Sequence, residues 1–148
     1  MEKRGPDQFE SVDTRRMPTA DHLDQYCRDI EDFNRGDLSH FGEHVDENLV
    51  VHTVAGWPEE VFVGAPSYLN FVRQLLDPVD ARIEVKELRQ IGEVVAAQIV
   101  LKIRGHDTAL EQEREYAQLI FHHRGKQVLI LFFDDFASAL ATVGARQA

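Results

Sequence analysis

Four consecutive runs rich in β-branched and aromatic residues, 82–91, 94–104, 114–123 and 127–133, constrain this chain more than any other feature. Gly92-Glu93 and Arg124-Gly125-Lys126 separate the first from the second run and the third from the fourth, and glycine accepts the positive φ that tight hairpins need. The connection 105–113 is longer and polar. Consecutive antiparallel pairing into a meander follows.

Helical patterns precede the meander. From Asp21 to Arg35, Leu23, Tyr26, Cys27, Ile30 and Phe33 recur at spacings of three and four, one apolar stripe on an amphipathic helix. Gly36 ends it, and Asp37 is placed to cap a second short helix, 38–45. A strand is expected over 49–54 and a loop over 55–63. Pro66 suits the first turn of a third helix, whose apolar face is Leu69, Phe71, Val72, Leu75 and Leu76 before Asp77-Pro78 stops it. Asp135 can cap a final helix, 136–143, with Gly144 at its exit. The expected class is α+β: three N-terminal helices packed on a curved, mainly antiparallel sheet, a cone, followed by a short C-terminal helix.

The chain of 148 residues is one domain's worth, read as a disordered polar leader over 1–19 and a domain over 20–145. With 16 Lys and Arg against 26 Asp and Glu the formal charge is −10, which repels nucleic acid and anionic membrane surfaces. Cys27 is the single cysteine, so no intramolecular disulfide forms and a reducing cytoplasm is expected. The leader lacks the apolar run of a signal or anchor, and the longest apolar stretch, 127–133, is far below the roughly 20 residues that cross a bilayer.

The order of elements and the local motifs resemble the ketosteroid isomerase and SnoaL-like polyketide cyclase group of the NTF2-like (cystatin-like) superfamily, over roughly residues 21–144. The carriers are Phe33-Asn34-Arg35-Gly36-Asp37, Asp46-Glu47-Asn48-Leu49-Val50-Val51-His52, Gly64-Ala65-Pro66-Ser67-Tyr68-Leu69, Phe121-His122-His123-Arg124-Gly125-Lys126 and Phe132-Phe133-Asp134-Asp135-Phe136. The fold hosts isomerases, cyclases, hydrolases, dehydratases and binding modules. In the steroid isomerases a carboxylate base works with a tyrosine and a neutral carboxylic acid that donate to the enolate oxygen. The resemblance puts His52 at the base position, Asp29 at the tyrosine position and Ala117 at the neutral-acid position. All three depart from the steroid isomerase set.

His52 is the first candidate base, since imidazole titrates near ~6.5, and Asp29 is a candidate to orient it. Each has a plainer reading, as a strand histidine bonded to a carbonyl and as a solvated helix carboxylate. Tyr26 shares the helix face of Asp29 and can donate to a ligand oxygen or simply pack. Trp57 is placed to close the mouth of the cone or to anchor its loop. Phe33, Phe71, Ala117, Phe121, Phe132 and Asp134 are expected on the concave surface, with Tyr116 facing away. His40 and His44 lie four apart without a clear carboxylate companion, so no metal site is expected, and no cofactor fingerprint is present.

The expected function is cofactor-independent proton transfer on a small apolar carbonyl compound, of isomerase, cyclase or dehydratase type. Two alternatives stand beside it: a non-catalytic ligand-binding or scaffold module, and epoxide-hydrolase-like activation of water by His52, Asp29 and Asp134. A homodimer through the outer sheet face is expected, because Val95, Ala97, Ile99 and Leu101 on one side and Val94, Ala96, Val100 and Ile103 on the other leave both faces apolar.

Overall fold

The computed structural model describes residues 19–54, 60–106 and 111–147. The leader up to residue 18 and Trp57 lie outside the described residues. Helix α1 (Thr19–Asn34) is followed by a 3-10 turn (Phe41–His44), β1 (Val45–His52), β2 (Val61–Val63) and α2 (Ala65–Leu76). Then come β3 (Val79–Ile91), β4 (Val94–Gly105), β5 (Glu111–His123), β6 (Lys126–Phe133) and α3 (Phe136–Gln147). One six-stranded sheet has the order β2-β1-β6-β5-β4-β3. All neighbours are antiparallel except β1 and β6, which run parallel. The architecture is α+β, with the meander joined as its turn residues require: Gly92 and Gly125 have φ of 61° and 82°.

Two expectations change. The second helix shrinks to the 3-10 turn, because Asp37 caps a local turn instead: its carboxylate accepts from the backbone N–H of Ser39 at 3.0 Å and from the Ser39 hydroxyl at 2.6 Å. With Gly36 and Gly42 bracketing it, the segment is too short and too poor in helix formers to propagate. The stretch before α2 also contains a strand: Val61, Phe62 and Val63 pair with His52, Val51 and Val50.

Asn34 explains the break after α1. Its Nδ2 donates to the Ile83 carbonyl at 3.0 Å and its Oδ1 accepts from the Ile83 N–H at 2.7 Å, so the side chain pairs with the edge strand β3 as a neighbouring strand would. The end of the helix is thereby pinned over the sheet. Gly36, with φ of 75°, then turns the chain away.

The sheet is covered on both faces, by different helices. Tyr26, Val45, Leu49, Val51, Phe62, Val95, Ala97, Ile99, Tyr116, Ile120, Ile130 and Phe132 form the core on the side of α1 and α2. On the other side Val94, Ala96, Ala117 and Leu119 pack against Ala139 and Val143 of α3. The apolar outer face assigned from sequence to a second copy is thus covered, at β4 and β5, by this chain's own C-terminal helix. Asp135 caps that helix as expected, accepting from the Ser138 N–H at 2.7 Å. Among the described residues no helix is long and apolar enough to cross a membrane.

Candidate functional site

Between α1, α2 and the concave face of the sheet lies a cavity of about 150 Å³. Helix α1 contributes Tyr26, Asp29, Ile30 and Phe33, the i, i+3, i+4, i+7 face of the amphipathic stripe. Helix α2 contributes Tyr68, Phe71, Val72 and Leu75. From the sheet come Val45, Ile83, Ile99, Leu101, Tyr116, Gln118, Ile120, Gln127, Ile130 and Phe132; Asp32 is a further α1 residue, while Asp37, Leu38, His40 and Phe41 belong to the segments after α1. The wall is overwhelmingly hydrocarbon, so its few polar groups decide what it can do.

Asp29 is one of them. Its Oδ1 accepts from Gln25 Nε2 at 2.9 Å, and Gln127 Nε2 stands 3.4 Å from Oδ2. Burial against the apolar wall pushes its carboxyl above the ordinary carboxylate range; the Gln25 hydrogen bond and the nearby His44 pull the other way. Tyr26 and Gln118 form the second polar element, both buried, with 2.6 Å between the phenol oxygen and Gln118 Oε1. That separation is short for N–H···O and ordinary for O–H···O, so the phenol donates and the amide oxygen accepts. Burial drives the phenols of Tyr26 and Tyr68 far above their ordinary range, which keeps both as neutral donors at any physiological pH. With its oxygen committed to Tyr26, Gln118 has its amide N–H groups left to offer the cavity.

Several sequence assignments are corrected here. His52 is exposed and does not line the cavity, because Leu49 and Val51, both 0% exposed, take the inward positions of β1 and alternation turns His52 outward. It therefore does not meet Asp29. Ala117 and Phe121 face α3 on the opposite side of the sheet, and Tyr116, read as facing away, lines the cavity together with Gln118 and Ile120. Asp134 follows the last residue of β6 and is exposed, outside the wall. Tyr26, Asp29, Phe33, Phe71 and Phe132 do stand in the wall.

Sequence reasoning missed Gln25, Gln118, Gln127, Tyr68 and Tyr116. The one available signal was Gln118, a polar residue inside the apolar run Ala117 to Phe121, where a buried amide must find a partner. Among the described residues no group of three or more His, Cys, Asp or Glu side chains is arranged to hold a metal ion.

A curved sheet wrapped round a helix-capped, apolar hollow is the architecture of solved NTF2-like structures. An NTF2-like protein of unknown function from Burkholderia pseudomallei superimposes with a TM-score of 0.68 at 14% identity, covering 84% of this chain and 97% of that one. A candidate SnoaL-like polyketide cyclase from Jannaschia sp. CCS1 gives 0.68 at 12% identity, covering 85% and 94%. AclR from Streptomyces galilaeus, a candidate hydroxylase, gives 0.67 at 18% identity, covering 86% and 87%. The chain has the SnoaL-like, NTF2-like fold. No protein-family model matches the sequence, and no curated protein matches it. The SnoaL-like architecture is a statement about fold, and the chemistry is left to the side chains in the wall of the hollow.

Proposed function

We propose that the protein binds a small, predominantly apolar carbonyl compound in the cone and catalyses cofactor-independent proton transfer on it. Asp29 is the acid–base group, and the Gln118 amide donates to the carbonyl oxygen as charge develops there. One observation carries this reading: Asp29 is a partly desolvated carboxyl, raised in proton affinity, on the wall of a largely apolar chamber. A carbanion forming next to a carbonyl needs a base whose affinity for protons has been lifted and a donor for the oxygen. Tyr26 positions that donor by fixing which end of Gln118 faces inward. Isomerisation, aldol-type cyclisation and dehydration share this first step, and candidate cyclases are among the proteins of the same architecture.

A non-catalytic binding role is the second reading, favoured by the Tyr26–Gln118 pair, in which the wall's polar groups satisfy one another. Water activation by three groups has lost two of them, since His52 and Asp134 are not in the wall. The test is exchange of α-protons for deuterium in a panel of small cyclic ketones, followed by NMR in D2O. Catalysed exchange that falls by about 10²-fold or more in Asp29→Asn supports the enzyme, given the usual size of general acid–base effects. Binding without exchange supports the second reading, and exchange at the native rate in Asp29→Asn removes Asp29 from the mechanism.

A further inference from the structure

A second chamber, of about 270 Å³, is lined by the N-terminal half of α1 and shares Tyr26, Ile120 and Gln127 with the wall of the cone. The polar side chains in its wall are His22, Gln25, Arg28, His44, His122 and Gln127. None is acidic, on a chain whose formal charge is −10. The rim includes Gly125, whose neighbours in the β5–β6 hairpin, Arg124 and Lys126, are both cationic. The remainder of the wall is Val95, Ile120 and Tyr26, whose hydroxyl is engaged by Gln118.

Three carboxylates that adjoin the wall have partners of their own. Glu93, at the β3–β4 turn, accepts from His22 Nε2 at 2.7 Å. Asp29 stands behind Gln25 and Gln127, and Glu43 of the 3-10 turn is 4.0 Å from His44 Nε2. His122 stacks on His22 with ring centroids 4.0 Å apart and planes 16° from parallel. Its Nδ1–H donates to the Glu93 backbone carbonyl at 2.9 Å, which leaves Nε2 without a hydrogen when the ring is neutral.

We propose that this chamber is a binding site for a small organic carboxylate, held by the Arg28 guanidinium and by an imidazole that takes up a proton as the ligand enters. A neutral His122 offers the anion a lone pair, so the complex is stable only once that nitrogen carries a proton. Burial, which holds the free ring's proton affinity down, ensures that the proton arrives with the ligand. The ligand is organic because the apolar floor gives a hydrated inorganic anion nothing in return for its lost water. A cavity of about 150 Å³ is enough for benzene, so this chamber has room for a ring with a carboxylate attached.

The experiment is calorimetric titration of the full chain with benzoate, with benzamide and inorganic phosphate as controls, between pH 6 and 8.5. Uptake of one proton per ligand predicts a dissociation constant that rises about tenfold per pH unit at the alkaline end. Arg28→Met, on an exposed helix position, is expected to weaken benzoate at least tenfold, while His122→Gln is expected to abolish the pH dependence. Benzamide and phosphate are expected not to compete. Equal binding of benzamide or phosphate, an affinity independent of pH, or native affinity in Arg28→Met would each overturn the proposal. Arg28 is absent from the wall of the cone and makes no hydrogen bond to Asp29, so ketone exchange in the cone is expected to persist in Arg28→Met, with its pH midpoint moved upward by the loss of the nearby positive charge.

Discussion

Asn34 is expected to be among the most costly polar residues to replace, although it touches no ligand. Its amide makes two hydrogen bonds to one residue of an edge strand, 3.0 Å to the Ile83 carbonyl and 2.7 Å from the Ile83 N–H. At about 1 kcal/mol net for each, Asn34→Ala should cost about 2 kcal/mol. In a domain of this size that corresponds to a fall in Tm of about 4–8 °C. Urea titration followed by circular dichroism measures it, with an unchanged m-value showing that the same surface is exposed on unfolding.

Asn34→Asp separates the two bonds. The substituted side chain still accepts from the Ile83 N–H, but it sets a carboxylate against the Ile83 carbonyl. That contact raises the group's proton affinity in the folded state above its unfolded value, so its cost is present at neutral pH and is relieved as pH falls below the folded-state value. Stability within about 0.5 kcal/mol of native for Asn34→Ala, or a pH-independent loss for Asn34→Asp, would refute the view that this amide pins α1 to the sheet.

Tyr26→Phe removes the donor to Gln118 and leaves a buried amide oxygen unpaired, at an expected cost of about 1–3 kcal/mol by urea titration. Adding Gln118→Leu should recover part of that loss, and strict additivity would contradict the pairing. Burial holds His122 below the ordinary imidazole value, so the folded state binds fewer protons than the unfolded chain. Stability is then expected to fall as pH drops through about 6.5, and His122→Gln should flatten that part of the profile.

The sequence was most readable where local chemistry has a single solution. Gly92 and Gly125 marked the two hairpins because only a positive φ closes them, and Asp135 marked a helix start because its carboxylate meets the free N–H of Ser138. The stripe on α1 placed Tyr26, Asp29 and Phe33 on one face, and all three reach the cavity. Side assignment on the strands was not readable in the same way. Alternation has two solutions when both faces are apolar, and here they are: Ala97 and Ile99 meet α1 and α2, while Val94, Ala96 and Leu119 meet α3. Choosing the wrong phase turned His52 inward and Gln118 outward. On β6, Gln127 and Ile130 both face the core side, since the register shifts where Gln127 and Leu129 pair with His122 and Phe121. Asn34 was visible as part of a motif, yet its partner lies 49 residues further along the chain and no local pattern reveals it.

The acid–base account rests on the state of one carboxyl group, and carbon-13 NMR of Asp29 across a pH series reads it directly, with Asp29→Asn to assign the signal. The account predicts a midpoint above the ordinary carboxylate range that moves further up when an apolar ligand fills the cone and strips away remaining water. A midpoint at or below that range, unmoved by ligand, would contradict it.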